Sequence, residues 1–174
     1  VTSVLTLADA KLHLNITANT WNAEIEAFIA AAEAAIEERV GPLQPRSRTD
    51  RVRGVGPALA LYASPAISLT SVTEVGGVAL TVADLSLHTS AGVVRFVHGG
   101  TFTGREYDVA YTAGRGTCPD DLMLAVKELV RHLWQSSQRG NGQRGGSAEV
   151  VPGAAYMFPN RVLELISPHL SVGF

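Results

Sequence analysis

Two periods of apolar spacing divide this chain. Ile25, Phe28, Ile29, Ala32 and Ile36 fall on one side of a 3.6-residue repeat, with Glu26, Glu33 and Glu37 towards the other. The pattern predicts an amphipathic helix that begins near Thr20, buries one stripe, turns its glutamates to water and stops at Gly41-Pro42. Ahead of it, Thr6-Leu-Ala-Asp9 has the form of a capping box with aspartate in place of glutamate, opening a short helix through about Leu14. The helical repeat returns after Pro119, where Leu122, Val126, Leu129, Val130 and Leu133 make one face with Trp134 at its border.

From about Arg51 to Thr112 the period is two. The runs ALALY, TSVTEV, VALTV, VVRFV and YDVAYT predict several antiparallel strands. Gly76-Gly77, between the second and third, is a two-residue hairpin signal because both positions accept positive φ. Pro57 and Pro65 argue against a central place for the first run, so Leu59 to Tyr62 is read as an edge or a connection. Past Ser137, QRGNGQRGGS has no apolar residue and predicts a flexible linker. Beyond it VVPGAAYMFPNRVLELISPHLSVGF is an apolar tail with a short helix from Pro159 to Ile166.

The expected fold is therefore α+β, a helical body with an inserted antiparallel β subdomain and an extended C-terminal arm. Its parts are N-terminal helices over 1–44, the β region over 45–117 and a long helix over 118–138 that completes the body. A linker over 139–149 and a docking arm over 150–174 follow.

Composition narrows the class. The 174 residues are 46% hydrophobic, ample for a core, yet no window holds the roughly 18 to 20 uninterrupted apolar residues of a membrane span. The first residues, VTSVLTLADA, lack the charged start and apolar run of a secretion signal, which points to a soluble protein made inside the cell. One cysteine, Cys118, rules out an intrachain disulfide framework and any multi-cysteine metal site. The net charge of −2 is unevenly spread: residues 1–40 carry six acids against Lys11 and Arg39, whereas 45–56 carry Arg46, Arg48, Arg51 and Arg53 against Asp50 alone.

The stretch YTAGRGTCPDDL, Tyr111 to Leu122, has the strand–glycine loop–helix layout used by phosphate-binding and nucleophile loops. It lacks the Walker lysine, and Asp120 and Asp121 fill the helix start where a phosphate would sit. Those carboxylates also oppose activation of Cys118, and no histidine is close in sequence. The loop reads as a joint, in which Gly114 and Gly116 turn the chain into the long helix. His13, His88, His98, His132 and His169 show no metal-binding spacing and read as surface residues; only His88 and His98 are placed to meet across a hairpin. No cofactor is called for. Two rival functions stay open from the residues alone: a nucleic-acid-binding module using the Arg46–Arg53 strip, and a small cysteine hydrolase using Cys118.

Taken together, LTLADAKLHLNI, then EIEAFIAAAEAAIEERVG, then YDVAYTAGRGTCPDDLMLAVKELVRHLW resemble the head-tail connector (adaptor) proteins of long-tailed bacteriophages, over most of residues 5–135. The tail FPNRVLELISPH is similar to their short C-terminal segments. The resemblance implies a non-enzymatic virion protein: a ring, commonly dodecameric, beneath the portal protein, offering its lower face to the next neck or tail-completion protein. Double-stranded DNA passes through such a ring without specific binding, and no membrane is involved.

Within that expectation the acidic first helices meet the Arg46, Arg48, Arg51 and Arg53 strip of a neighbouring copy. Some of Glu24, Glu26, Glu33, Glu37 and Glu38 face the channel, where negative charge lets the duplex slide. The arm docks on the portal or a neighbouring copy through Tyr156, Phe158, Arg161, Val162, Leu165, Ile166 and Phe174, because the body cannot shelter its own apolar terminus.

Overall fold

The structure is a computed structural model, describing residues 3–102, 104–142 and 158–170. The fold is α+β, and its contacts divide it into a helical unit, Val1–Arg39 with Cys118–Leu170, and a β unit that begins at Val40 and ends its main segment at Thr117.

The helical unit holds α1 (Leu7–Leu14), α2 (Asn22–Val40), α3 (Asp120–Gly142) and α4 (Asn160–Ile166), α4 being followed by a short 3-10 turn, Ser167–His169. Thr6 caps α1 as expected: its hydroxyl accepts from the Asp9 amide at 3.1 Å and donates to the Asp9 carboxylate at 2.6 Å. Asn15 ends the helix in the left-handed region. Lys11 Nζ then donates to Asn19 Oδ1 (2.8 Å) and Asn22 Oδ1 (3.0 Å), tying α1 to the start of α2.

Ile25, Ile29, Ala32 and Ile36 of α2 are buried, as are Leu122, Ala125, Val126, Leu129 and Val130 of α3. Trp134 meets Trp21 and Phe28 edge-on, with ring centroids 5.7 and 6.5 Å away. The long helix runs to Gly142, into the segment expected as linker from 139.

One correction concerns the tail. Val162 and Ile166 are fully buried, and α4 packs on α3 inside the helical unit. The body thus shelters this part of the apolar C-terminal segment itself, because their i, i+4 spacing gives α4 a narrow apolar stripe that α3 covers. Tyr156, Phe174 and most of the expected linker lie outside the described residues.

The β unit has two antiparallel sheets. One is ordered β1-β7-β3-β4, with β1 Arg46–Arg53, β3 Ala66–Glu74, β4 Ala79–Leu80 and β7 Glu106–Ala113. The other is ordered β2-β6-β5, with β2 Ala58–Ala60, β5 Leu85–His88 and β6 Val93–Phe96. The first run is therefore an edge strand, as expected.

Two strands are additions to the sequence expectation, β5 and above all β1, where RSRTDRVR pairs along its whole length with β7 from Arg46↔Ala113 to Arg53↔Glu106. The β3–β4 hairpin forms, but only Gly76 (φ +74°) takes positive φ; Gly77 does not. Both sheets turn residues into one core, including Val52, Leu59, Val72, Val94, Val109 and Tyr111. Phe102 stacks on Phe96 (4.6 Å) and meets Tyr107 edge-on (5.5 Å).

Candidate assembly surfaces

The arginine strip is β1, an edge strand, and strand alternation sends Arg48 and Arg51 to opposite faces. Each already has a carboxylate. Arg48 Nε lies 2.6 Å from Asp50 Oδ1, and Arg51 grips Asp108, its cross-strand neighbour, through Nε (2.8 Å) and Nη2 (2.9 Å). Arg53 stands opposite Glu106 in the ladder, and Arg46 opposite Ala113. The strip expected to face a neighbour thus has at least two of its four charges, Arg48 and Arg51, matched within its own chain.

Asp50 is the buried centre of this region. Its carboxylate accepts from Arg48, from the Tyr62 amide (2.9 Å) and from the Tyr111 hydroxyl, whose oxygen in turn accepts from the Ala63 amide at 3.1 Å. Burial raises the Asp50 pKa, but hydrogen bonds from Tyr111, Arg48 and Tyr62 outweigh it and hold the group below the usual carboxylate value. Burial, and then the hydrogen bond to Asp50, pushes Tyr111 up to about 12. The hydrogen bond to Asp50 also raises Arg48. The knot joins β1, β7 and the segment after β2, and it organises the fold of the β unit.

The glutamates of α2 separate. Glu26 and Glu38 are exposed, and Glu24 and Glu37 are half-buried. Glu33, expected on a solvated or channel-facing side, is instead buried, because the N-terminal segment folds over it. Its Oε1 accepts from Ser3 Oγ (2.6 Å), the Val4 amide (2.8 Å) and the Leu5 amide (3.0 Å).

Along the C-terminal element, Arg39 lies over the Phe158 ring at 4.3 Å from its centroid. Arg161 Nε is 4.0 Å from Glu128 Oε1, and Leu165 is half-buried. His169 Nε2 contacts Asp121 Oδ2 at 2.6 Å, so this histidine is engaged by a carboxylate and not simply a surface residue. Burial raises the Asp121 pKa, while hydrogen bonds from His169 and the Leu122 amide more than offset it, leaving the carboxyl below its usual value. Leu163 and Leu170 are the exposed large apolar side chains of this element.

At the glycine loop the two glycines differ. Gly114 has φ +115°, and a Cβ built there would stand 2.1 Å from the Gln44 carbonyl oxygen. Gly116 has ordinary φ and open space around it. Arg115 donates to the carbonyls of Val40 (2.9 Å) and Pro42 (3.2 Å), which holds the loop against the start of the β unit. Cys118 is partly buried, with Sγ 3.7 Å from the Pro119 carbonyl.

His88 pairs in register with Val93 and Leu85 with Phe96, so His98 lies beyond the opposite end of this hairpin and the two histidines do not face each other. Among the described residues no group of three or more His, Cys, Asp or Glu is placed to hold a metal ion, and no helix is long and apolar enough to cross a membrane.

The fold is shared with solved chains of gene transfer agent particles. The neck of an empty gene transfer agent particle computed with C6 symmetry has a TM-score of 0.66 at 23% identity, covering 100% of this chain and 95% of that one. The neck of a native gene transfer agent particle computed with C12 symmetry gives 0.67 at 22%, covering 100% and 94%. A chain of the virion of a native gene transfer agent particle gives 0.66 at 21%, covering 98% and 91%. No curated protein matches the chain. The family model of head completion proteins matches residues 3–172, and the chain belongs to that family.

Proposed function

We propose that the chain is a structural, non-enzymatic protein of the virion neck. Copies form a ring of twelve beneath the portal and join the DNA-filled head to the next neck or tail-completion protein. The observation that carries this reading is the head completion family match over nearly the whole chain. The full-length fold likeness to neck chains from particles computed with C6 and C12 symmetry supports it.

The ring is built by heterologous contact, one patch of each copy meeting a different patch of the next. Glu26 and Glu37, which share one side of α2, are the acids we assign to the passage, where a negative wall repels the duplex and lets it move. Leu163 and Leu170, the outward apolar residues of the C-terminal element, are offered to the portal. The rival DNA-binding reading loses support from the pairing of Arg48 and Arg51 with carboxylates of their own chain.

Mixing the full chain with the portal protein of its own particle and measuring the mass of the product tests this. A complex of one portal with twelve copies is expected, and a chain that stays monomeric beside the portal overturns it.

A further inference from the structure

The outward face of the second sheet carries a guanidinium that, among the described residues, holds no carboxylate. Register places Ala58, Arg95 and Ser86 on one rung and Ala60, Val93 and His88 on the next. Arg95 thus sits on the central strand β6 between two small side chains, while Leu59 and Val94 point the other way into the core. Ser86, His88, Ala91, Val93 and Arg95 line a recess of about 390 Å³, and no acidic residue lines it. Arg48, Arg51 and Arg105 of the same unit each have a carboxylate partner; among the described residues Arg95 has none. The small neighbours leave the side of its planar fork accessible, and such a fork fits a carboxylate through two parallel hydrogen bonds.

The chain's excess of acid lies in its other unit. The helical unit has eleven acidic residues against seven basic ones, whereas the β unit has seven arginines against five acids. On α2 the row Glu24, Ala27, Ala31, Ala34 and Glu38 follows helical spacing, and its three alanines and Glu38 are exposed. Among the described residues Glu38 has no ion-pair partner. A helix row of alanines admits close approach to a sheet face of Ala58, Ala60 and Ser86, and brings a carboxylate with it.

We propose that Arg95 of one copy receives Glu38 from α2 of the adjacent copy, making the recess on the second sheet and the alanine row of α2 the two unlike halves of the ring contact. The inference rests on the ring reading above. A second copy is favoured over a DNA phosphate because the occupant must be narrow and flat enough to enter between small side chains, and because the two units of this chain carry opposite net charge.

The test uses the full chain with its portal, comparing wild type, Arg95→Ala, Arg95→Glu, Glu38→Arg and the double variant Arg95→Glu/Glu38→Arg by native mass spectrometry. Circular dichroism and thermal midpoint check that each variant folds; both positions are exposed, and unchanged values are expected. Arg95→Glu and Glu38→Arg should each raise the protein concentration needed for ring assembly by roughly tenfold or more, and the double variant should restore it. If wild type assembles and Arg95→Glu assembles equally well, or if the reversed pair fails to restore assembly, the Arg95–Glu38 contact is wrong and the ring reading stands. If wild type itself forms no multimer on the portal, both fall. A parallel titration with duplex DNA adds one outcome: loss of duplex affinity in Arg95→Glu with normal assembly assigns the recess to phosphate and overturns the contact.

Discussion

His169 Nε2 sits 2.6 Å from Asp121 Oδ2, which ties the last described turn of the chain to the first turn of α3. Asp121 has a folded pKa below its ordinary value, because the His169 and Leu122 hydrogen bonds overcome the effect of burial. A depressed carboxyl contributes stability above the unfolded value near 4 and loses it as pH falls through the folded value. Protection of the α4 amides, as exchange divided into the intrinsic rate at each pH, should therefore fall on acidification from pH 5 towards pH 3. In Asp121→Asn that pH dependence should be reduced, with a cost at neutral pH of about 0.5–1 kcal/mol because the pair is partly exposed.

The Asp50–Tyr111 hydrogen bond makes a second prediction. Tyr111→Phe leaves a buried carboxylate oxygen with one donor fewer and the Ala63 amide without its acceptor, and should cost about 1–3 kcal/mol in urea unfolding of the full chain. Tyr111 is raised to about 12, so its stabilising share is complete below about pH 10 and is lost as pH rises through about 12. Wild type should weaken across that alkaline window, and Tyr111→Phe should weaken less. Asp50, held low, acts at the other end, where its contribution disappears as pH falls below about 4.

Glu33 should behave as a structural acceptor and not as a channel charge. Glu33→Ala leaves the Val4 and Leu5 amides without their acceptor, Ser3 Oγ keeping only the Leu5 carbonyl at 2.8 Å, and should release the N-terminal segment over α2. Loss of about 2 kcal/mol is expected, together with faster exchange at Leu5, whose side chain is buried. Glu26→Ala, at an exposed position of the same helix, should change stability by less than about 0.5 kcal/mol.

The two glycines of the loop before α3 should respond oppositely. Gly114→Ala forces a Cβ onto the Gln44 carbonyl at a left-handed φ and should destabilise by about 2 kcal/mol or more. Gly116→Ala meets no neighbour and should be neutral or stabilising by up to about 1 kcal/mol. Thermal melts of the two variants decide it; equal losses would contradict the geometry.

The helices were readable because their apolar residues recur where one partner face covers them. Ile25, Ile29 and Ile36 are buried as their spacing requires, and Leu122, Val126 and Val130 likewise. β1 was not readable. RSRTDRVR has only Val52 as an apolar inward residue, and the inward place at Asp50 is satisfied by donors from Tyr62 and Tyr111, which are distant in sequence. The same long-range dependence hid Glu33, whose helical row with Glu26 and Glu37 looks solvated until residues 3–5 close over it. The tail's apolar stripe was visible in the sequence; that α3 of the same chain would cover it was not, because the two are separated by a segment with no apolar pattern to fix their approach. Arg95 looked ordinary within VVRFV, and its distinction appears only when register puts Ala58 and Ser86 beside it.

The β unit is inserted within the helical unit: the chain leaves the latter after Arg39, returns at Cys118, and both described ends, Ser3 and Leu170, belong to it. Tension applied between those ends is borne first by the contacts of α1, α3 and α4, while the sheets stay out of the force path until the helical unit yields. In single-molecule pulling the two units should therefore rupture in that order, helices before sheets, whichever is the more stable at equilibrium.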